Sequence, residues 1–319
     1  MRKVTIGTRG SQLALWQANW AKSNLERFHP GSQVEIKVIT TKGDRVLDVS
    51  LPTLGAQGKG LFTKELEDEM LAHDIDIAVH SLKDLPTDIT RGLTIGAISE
   101  REDVRDALVA RAGVSGFNEL AQGARIGTSS LRRQSQLRYA RSDLVLEPIR
   151  GNVDTRLRKL DSGDFDGVIL ASAGLRRLGR EDRITEYLSE DLMLPAVGQG
   201  ALGIQIREDD PVMAEFIAPL DHHASHVACQ AERSFLRGLG GGCLVPIAAL
   251  AKVEGRSLAI RGLVASPDGS EAICGQEAGS IEDPDGPGTR LACDILGRGG
   301  DRLLGQAPCQ ERGTASDAT

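Results

Sequence analysis

Ile75-Asp76-Ile77-Ala78-Val79-His80-Ser81-Leu82-Lys83-Asp84-Leu85-Pro86 alternates as a strand and then breaks at once into a polar turn stopped by proline. Working upstream, residues 4–8 form another short strand. Ser11 can cap a helix on which Leu13, Trp16, Trp20, Ala21 and Leu25 recur at helical spacing. Residues 34–39 alternate as a strand and 62–72 are helical. Residues 42–60, with Gly43, Pro52, Gly55, Gly58 and Gly60, read as a long loop, the kind that serves as a lid or is disordered. Downstream the rhythm repeats. Arg125-Ile126-Gly127 leads into Thr128-Ser129-Ser130 and a helix at 131–141, followed by a strand at 144–149, a helix at 153–160 and a buried-type strand at 168–170. Strand alternating with helix predicts α/β units on largely parallel sheets, here two similar lobes. Ligands of such folds sit beyond the carboxyl ends of strands. Segments 8–11, 81–84, 127–133 and 150–152 all lie at such ends.

From about 221 the pattern changes. Asp221 can cap a helix running through Leu236. Three strands at 247–253, 257–264 and 271–276, with turns at Glu254-Gly255-Arg256 and 266–270, predict an antiparallel meander, and a helix at 289–304 follows. This is a small α+β third domain. The expected division is 1–99 with 200–219, 100–199, and 220–305, with a polar tail at 306–319 that frays.

The 319 residues allow two or three domains with their own cores. A formal net charge of −7 argues against general binding to nucleic acid or membranes. Five widely spaced cysteines without a CxxC fit neither a disulfide framework nor a zinc site. No run is long and apolar enough to span a membrane, and Met1–Ile6 enters a strand with no apolar export segment. A reduced, cytoplasmic protein is expected.

Residues 125–159 hold nine basic residues against three acidic ones, on a chain that is acidic overall. Eight of the nine are arginine, which grips carboxylate or phosphate through two parallel hydrogen bonds. Arg138, Arg141 and Arg158 suit a solvated helix face. Arg132, Arg133 and Arg150 sit instead at strand ends and helix starts, where anions bind. Tyr139 alone in the stretch could stack a base, so a small polyanion is the better partner than nucleic acid. Gly198–Gly203 matches GxGxxG but runs into a strand, not a helix. Gly55–Gly60 lacks the full phosphate-loop pattern. His222, His223, His226 and Cys229 share one helix, which rarely completes a zinc sphere, so no metal is expected. Asp84 is either a turn carboxylate paired with Lys83, or an ionised group in a cationic crevice able to stabilise positive charge and move protons. Cys243 follows Gly240-Gly241-Gly242, a stretch without side chains that lets a bulky group sit against the sulfur, as at a covalent attachment point.

Six segments together resemble the porphobilinogen deaminases, also called hydroxymethylbilane synthases. They are Thr8-Arg9-Gly10-Ser11-Gln12-Leu13-Ala14-Leu15-Trp16-Gln17, residues 80–86, Gly127-Thr128-Ser129-Ser130-Leu131-Arg132-Arg133, Arg150-Gly151-Asn152-Val153-Asp154-Thr155-Arg156, residues 194–201 and Gly240–Cys243. They follow the family order and extend to about residue 305. The resemblance implies two lobes similar to periplasmic binding proteins, the first discontinuous, plus the third domain. It implies a transferase that condenses four porphobilinogens head to tail with loss of ammonia and releases hydroxymethylbilane by hydrolysis. It implies a dipyrromethane cofactor held on Cys243 through a thioether, and Asp84 as the catalytic carboxylate. Arg9, Ser11, Lys59, Ser81, Lys83, Thr128, Ser129, Ser130, Arg132, Arg133, Arg150, Gly151, Arg156, Arg177 and Gln199 would bind cofactor and substrate. A monomer is expected. Arg176 stands where relatives carry lysine, with the charge kept. The alternative is a non-catalytic two-lobe protein that binds small polyanions.

Overall fold

The computed structural model describes residues 3–41, 63–241 and 246–305. The loop expected at 42–60, Cys243 and the tail from 306 lie outside the described residues. The chain builds β1 (Lys3–Thr8), α1 (Gln12–Phe28), β2 (Gln33–Val38), α2 (Lys64–Leu71), β3 (Ile77–Ser81) and β4 (Leu93–Ile98). It crosses to β5 (Asp106–Ala110), β6 (Arg125–Gly127), α3 (Leu131–Ala140), β7 (Val145–Glu147), α4 (Val153–Asp161), β8 (Gly167–Ala171), α5 (Ser172–Arg177) and β9 (Glu186–Tyr187). It returns through β10 (Leu202–Arg207) and α6 (Pro211–Ile217). Then come α7 (His223–Gly238), β11 (Ile247–Glu254), β12 (Ser257–Ala265), β13 (Ala272–Ser280) and α8 (Asp285–Ile295).

Among the described residues the first sheet has the order β2-β1-β3-β10-β4 and the second β7-β6-β8-β5-β9. β1 pairs in parallel with β2 and β3, and β6 with β7 and β8. β10 runs antiparallel to β3 and β4, and β5 antiparallel to β8 and β9. The sheets are therefore mixed rather than largely parallel. The reversed strand in each is the one that arrives from the other lobe, so it enters its sheet from the opposite end. All six residues of β10 are buried, and Leu202, Ile204 and Ile206 join the first core with Val4, Leu25 and Phe216. Leu108, Ile126, Leu137 and Ile169 pack the second lobe, and Phe235, Ile260 and Leu291 the third unit. Each such side chain contributes about 1.5–3 kcal/mol by leaving water. The meander β11-β12-β13 is antiparallel throughout, as its turns require.

Two local expectations are corrected. His222, not Asp221, caps α7: its side chain accepts from the Ser225 N–H. Asp221 accepts the Ile98 N–H at 2.7 Å and pairs with His226 at 2.7 Å, tying α7 to β4 instead. The last helix starts at Asp285 and its run is broken at 296–300, where Gly299 takes φ 97°, a conformation that favours glycine.

The two crossings between lobes touch each other and the third unit. Glu102 N–H donates to Gly200 O at 3.1 Å. A Cβ on Gly200, whose φ is +92°, would lie 2.4 Å from Glu102 O, so only glycine fits there. Arg101 makes a two-bond pair with the fully buried Glu232 of α7 at 2.6 and 3.0 Å, and its Nε donates to Gln199 O at 2.7 Å. The Glu232 carboxylate also accepts the N–H groups of Gly198 (2.7 Å) and Ala251 (2.8 Å). Removing one partner of a buried pair leaves the other charge without compensation. Glu232→Ala should therefore destabilise the fold by about 3–5 kcal/mol, read as a lower urea midpoint. A loss under about 1 kcal/mol would show that Arg101 finds another partner.

Candidate active site

β1 and β3 end side by side, and their carboxyl ends form one wall of a crevice. Arg9, Ser11, Gln17, His80, Ser81 and Asp84 line it. Ser11 caps α1, its Oγ accepting from Ala14 N–H at 3.2 Å, which places the start of that helix at the rim. Gln17, on the buried face of α1, donates to Ser81 Oγ at 2.8 Å. Beneath them, burial pushes the His80 imidazole down to about 4, so it is neutral at pH 7. Gln205 donates its amide to Glu67 (3.0 Å), so His80 Nε2, 3.1 Å from Gln205 Oε1, carries the proton and donates. Ser81 leads into a single turn, Leu82–Asp84, where Leu85 N–H closes on Leu82 O. Asp84 is exposed, with its carboxylate at the crevice.

The second wall comes from the other lobe. Thr128 follows β6 directly, and Ser130 opens α3 without using its hydroxyl as a cap. Ser129 Oγ donates to Ile149 O at 2.8 Å, joining this turn to the next strand end. Arg132 and Arg133, on the first turn of α3, are buried. Arg133 donates through Nε (3.1 Å) and Nη2 (2.7 Å) to Asp106 Oδ1 and through Nη1 to Ile169 O (2.8 Å). Arg132 Nη1 lies 2.7 Å from Asp106 Oδ2 and donates to Leu194 O at 2.7 Å. Burial alone would raise the Asp106 pKa. The two guanidiniums outweigh it and hold the carboxyl well below its ordinary range. Gln199 donates to Asp106 at 3.0 Å and to Val104 O at 2.8 Å, and accepts from Lys83 Nζ at 3.3 Å. One chain of bonds thus runs from Lys83 beside Asp84, through Gln199 and Asp106, to both arginines.

Arg150 and Gly151 precede Asn152, which caps α4. Gly151 takes φ +102° and offers its carbonyl to Arg156 Nε at 2.9 Å. Arg156 feels both Arg133 and Asp84, so the two walls lie within electrostatic reach. Burial pushes Arg156 and Arg177 down to about 10 and Lys83 to about 8. Among the described residues Arg156 hydrogen-bonds to no carboxylate. Arg177 donates to Gly200 O at 2.5 Å and sits over the Trp16 ring, 5.6 Å from its centroid. Half-buried guanidiniums with no carboxylate hydrogen-bonded to them among the described residues have the chemistry that grips carboxylates. Lys59 and Cys243 lie outside the described residues.

Other basic residues of 125–159 are used locally. Arg125 pairs with Glu147 (3.0 Å), Arg138 donates to Pro267 O (2.6 Å) and Arg158 to Thr155 (3.1 Å). Arg141, expected on the solvated face, is half-buried: it pairs with Asp143 at 2.7 Å and donates to Leu120 O at 3.1 Å.

Residues 4–215 match the model of the porphobilinogen deaminase dipyromethane cofactor binding domain, and 226–297 that of the porphobilinogen deaminase C-terminal domain. The chain belongs to the porphobilinogen deaminase family. Similar relatives include the porphobilinogen deaminase of Pelobacter propionicus, 52% identical, and that of Carboxydothermus hydrogenoformans, 50% identical. Each aligns over 303 residues, 95% of this chain and 96% of its own. Similar solved structures include the periplasmic aliphatic sulphonate binding protein SsuA of Escherichia coli. It is 13% identical at TM-score 0.40, over 74% of this chain and 70% of its own. A Salmonella typhimurium periplasmic binding protein with high arginine specificity is 14% identical at TM-score 0.37, over 69% and 92%. Family membership sets aside the non-catalytic alternative. No helix among the described residues is long and apolar enough to cross a membrane.

Asp106 has no motif around it. Its one sequence signal is an acidic residue abutting the apolar run 107–110. Asp106→Asn keeps the size but leaves two buried guanidiniums facing each other. It should destabilise the fold by about 3–5 kcal/mol. The folded pKa of Asp106 lies below its unfolded value near 3.8. Its stabilisation is therefore complete above that value and is lost as pH falls through the lowered folded value. Urea midpoints measured from pH 7 down to pH 2 should thus fall less steeply in Asp106→Asn than in wild type. Parallel curves would sink this account of the clamp.

Proposed function

We infer that this crevice performs the reaction its family is named for. Four porphobilinogen molecules join head to tail, four ammonia molecules leave, and one water releases the linear tetrapyrrole hydroxymethylbilane. The observation that carries the reading is an exposed carboxylate, Asp84, facing cations contributed by the opposite lobe. Each porphobilinogen brings an acetate and a propionate, so a growing chain gains two negative charges per ring. Half-buried Arg156 and Arg177, with Lys83, Arg132, Arg150 and the hydroxyls of Ser11, Ser81, Ser129 and Ser130, suit that charge. Arg133 and Gln199, committed to Asp106, hold the wall in shape, and Thr128 and Gly151 shape its turns.

Asp84 accepts pyrrole N–H groups. Its negative charge stabilises the cation that forms at the substrate methylene carbon as ammonia departs. The same carboxylate assists removal of the proton displaced from the attacking pyrrole carbon. Neutral His80 and Gln17 keep the floor rigid, so the carboxylate does not have to reorganise as charge develops. Cys243 would hold the dipyrromethane through a thioether, and when bound the group would supply the pyrrole that primes the chain. Arg9, Lys59, Arg132 and Arg156 would hold its acetates and propionates.

The proposed division into 1–99 with 200–219, 100–199 and 220–305 is supported by β10 completing the first sheet. A cytoplasmic monomer is proposed; the free Cys229, Cys274 and Cys293 suit a reducing compartment.

Asp84→Asn keeps the size and removes the charge. Its kcat should fall by about 10²–10³, with circular dichroism unchanged, while Asp84→Glu keeps partial activity. A loss of only about twofold in Asp84→Asn would remove Asp84 from this role.

Cys243→Ser replaces the sulfur with a hydroxyl that barely ionises at neutral pH. Intact mass of the wild type should show a two-pyrrole adduct, mapped to Cys243 by tandem spectrometry. Cys243→Ser should be folded, carry no adduct and have little activity, whereas Cys229→Ser, Cys274→Ser, Cys293→Ser and Cys309→Ser should keep both. An adduct on another cysteine, or active enzyme with none, would refute attachment at Cys243.

A further inference from the structure

The turn that carries Asp84 passes directly into residues 85–92, which form no helix or strand. Its near side is secured in the usual way: Leu82 N–H donates to Ala201 O at 3.0 Å, and Leu82 and Leu85 pack with Ala201, Ile98 and Cys229. Its far side is secured by a buried cation on α7. The Arg233 guanidinium donates to Leu85 O (3.3 Å), Pro86 O (2.5 Å) and Thr87 O (3.3 Å), three carbonyls in succession after Asp84. Arg233 is 7% exposed and, among the described residues, pairs with no carboxylate. Burial pushes it down to about 10. A cation buried against neutral dipoles is a costly arrangement, and an apolar side chain of similar length would fill the space more cheaply. What an apolar chain cannot do is hold three carbonyls in one direction; the planar fork of arginine can. Cys229 and Arg233 are one helical turn apart, so one face of α7 supports the turn from both sides.

We propose that Arg233 is a positioning residue for the deaminase reaction: through the carbonyls of residues 85–87 it fixes the backbone turn that aims the Asp84 carboxylate into the crevice. This rests on the reading of Asp84 given above. The guanidinium bonds to the backbone and not to the Asp84 carboxylate, so its effect on rate passes entirely through the turn. A helix of the third unit thereby sets the geometry of a group on the first lobe.

The experiment is a double-mutant cycle on the intact, adduct-bearing enzyme, with adduct content read by intact mass and kcat and KM from initial rates. Arg233→Met should keep the adduct, leave KM within about twofold and lower kcat about tenfold to a hundredfold, the effect of misplacing a catalytic group by about 1 Å. In an Asp84→Glu background, where the carboxylate is already displaced, the same change should cost less than about threefold, because two changes acting on one group are not additive. Equal fold-losses in the two backgrounds, or a kcat within about twofold of wild type, would overturn the proposal. Should Arg233→Met not fold, Arg233→Lys keeps the cation and loses the fork. It should show a smaller kcat loss with the same non-additivity, and additive losses there overturn the proposal equally. Asp84→Glu with unchanged kcat would overturn the assignment of Asp84 itself, an outcome distinct from additivity.

Discussion

A single buried carboxylate organises the second wall of the crevice. Asp106, fully buried itself, begins β5, and it stays ionised because two guanidiniums and an amide converge on it. Without that charge, Arg132 and Arg133 would repel each other in a space with little water. With it, the start of α3 is tied to β5, and Gln199 ties both to Lys83 on the opposite wall. The price is desolvation of three charges, which makes the cluster a weak source of net stability and a strong source of fixed geometry.

The crossings between the lobes carry the second constraint. Arg101, Gln199 and Gly198 come from the two connecting segments, and Glu232 from α7 binds Arg101 and Gly198 while also holding β11 through Ala251. Arg233, the next residue, holds the turn after Asp84. Two adjacent charged residues on one helix therefore join the third unit to the connections and to the first lobe. The walls of the crevice belong to different lobes, yet they are referenced to a common element.

Much of this was legible without coordinates. Alternation through residues 75–80 and its break at Ser81 placed Asp84 at a strand end, because side-chain period and turn chemistry are local properties. The helix start at Ser11 and the meander of the third unit were legible for the same reason. The motif segments supplied the family. The antiparallel β5 and β10 were not legible: strand direction depends on which lobe the chain has come from, and residues 106–110 and 202–207 look the same either way. Nor was the capping role of His222, since Asp221 is the better cap by residue type and is diverted by the Ile98 N–H and His226.

The sequence by itself determined the α/β rhythm, the meander, the strand-end positions of the site segments and membership of the deaminase family, all of which follow from patterns within some tens of residues. Only the tertiary structure decided how the basic residues divide. Arg133 is consumed by Asp106, 27 positions away, and Arg141 by Asp143 and loop carbonyls, whereas Arg156 is left half-buried with no carboxylate bonded to it among the described residues. It also decided that Arg233, 149 positions from Asp84, donates to the carbonyls that follow it. A guanidinium's role is set by which acceptors the fold brings within about 3 Å, and residue type and neighbours along the chain carry no record of that distance.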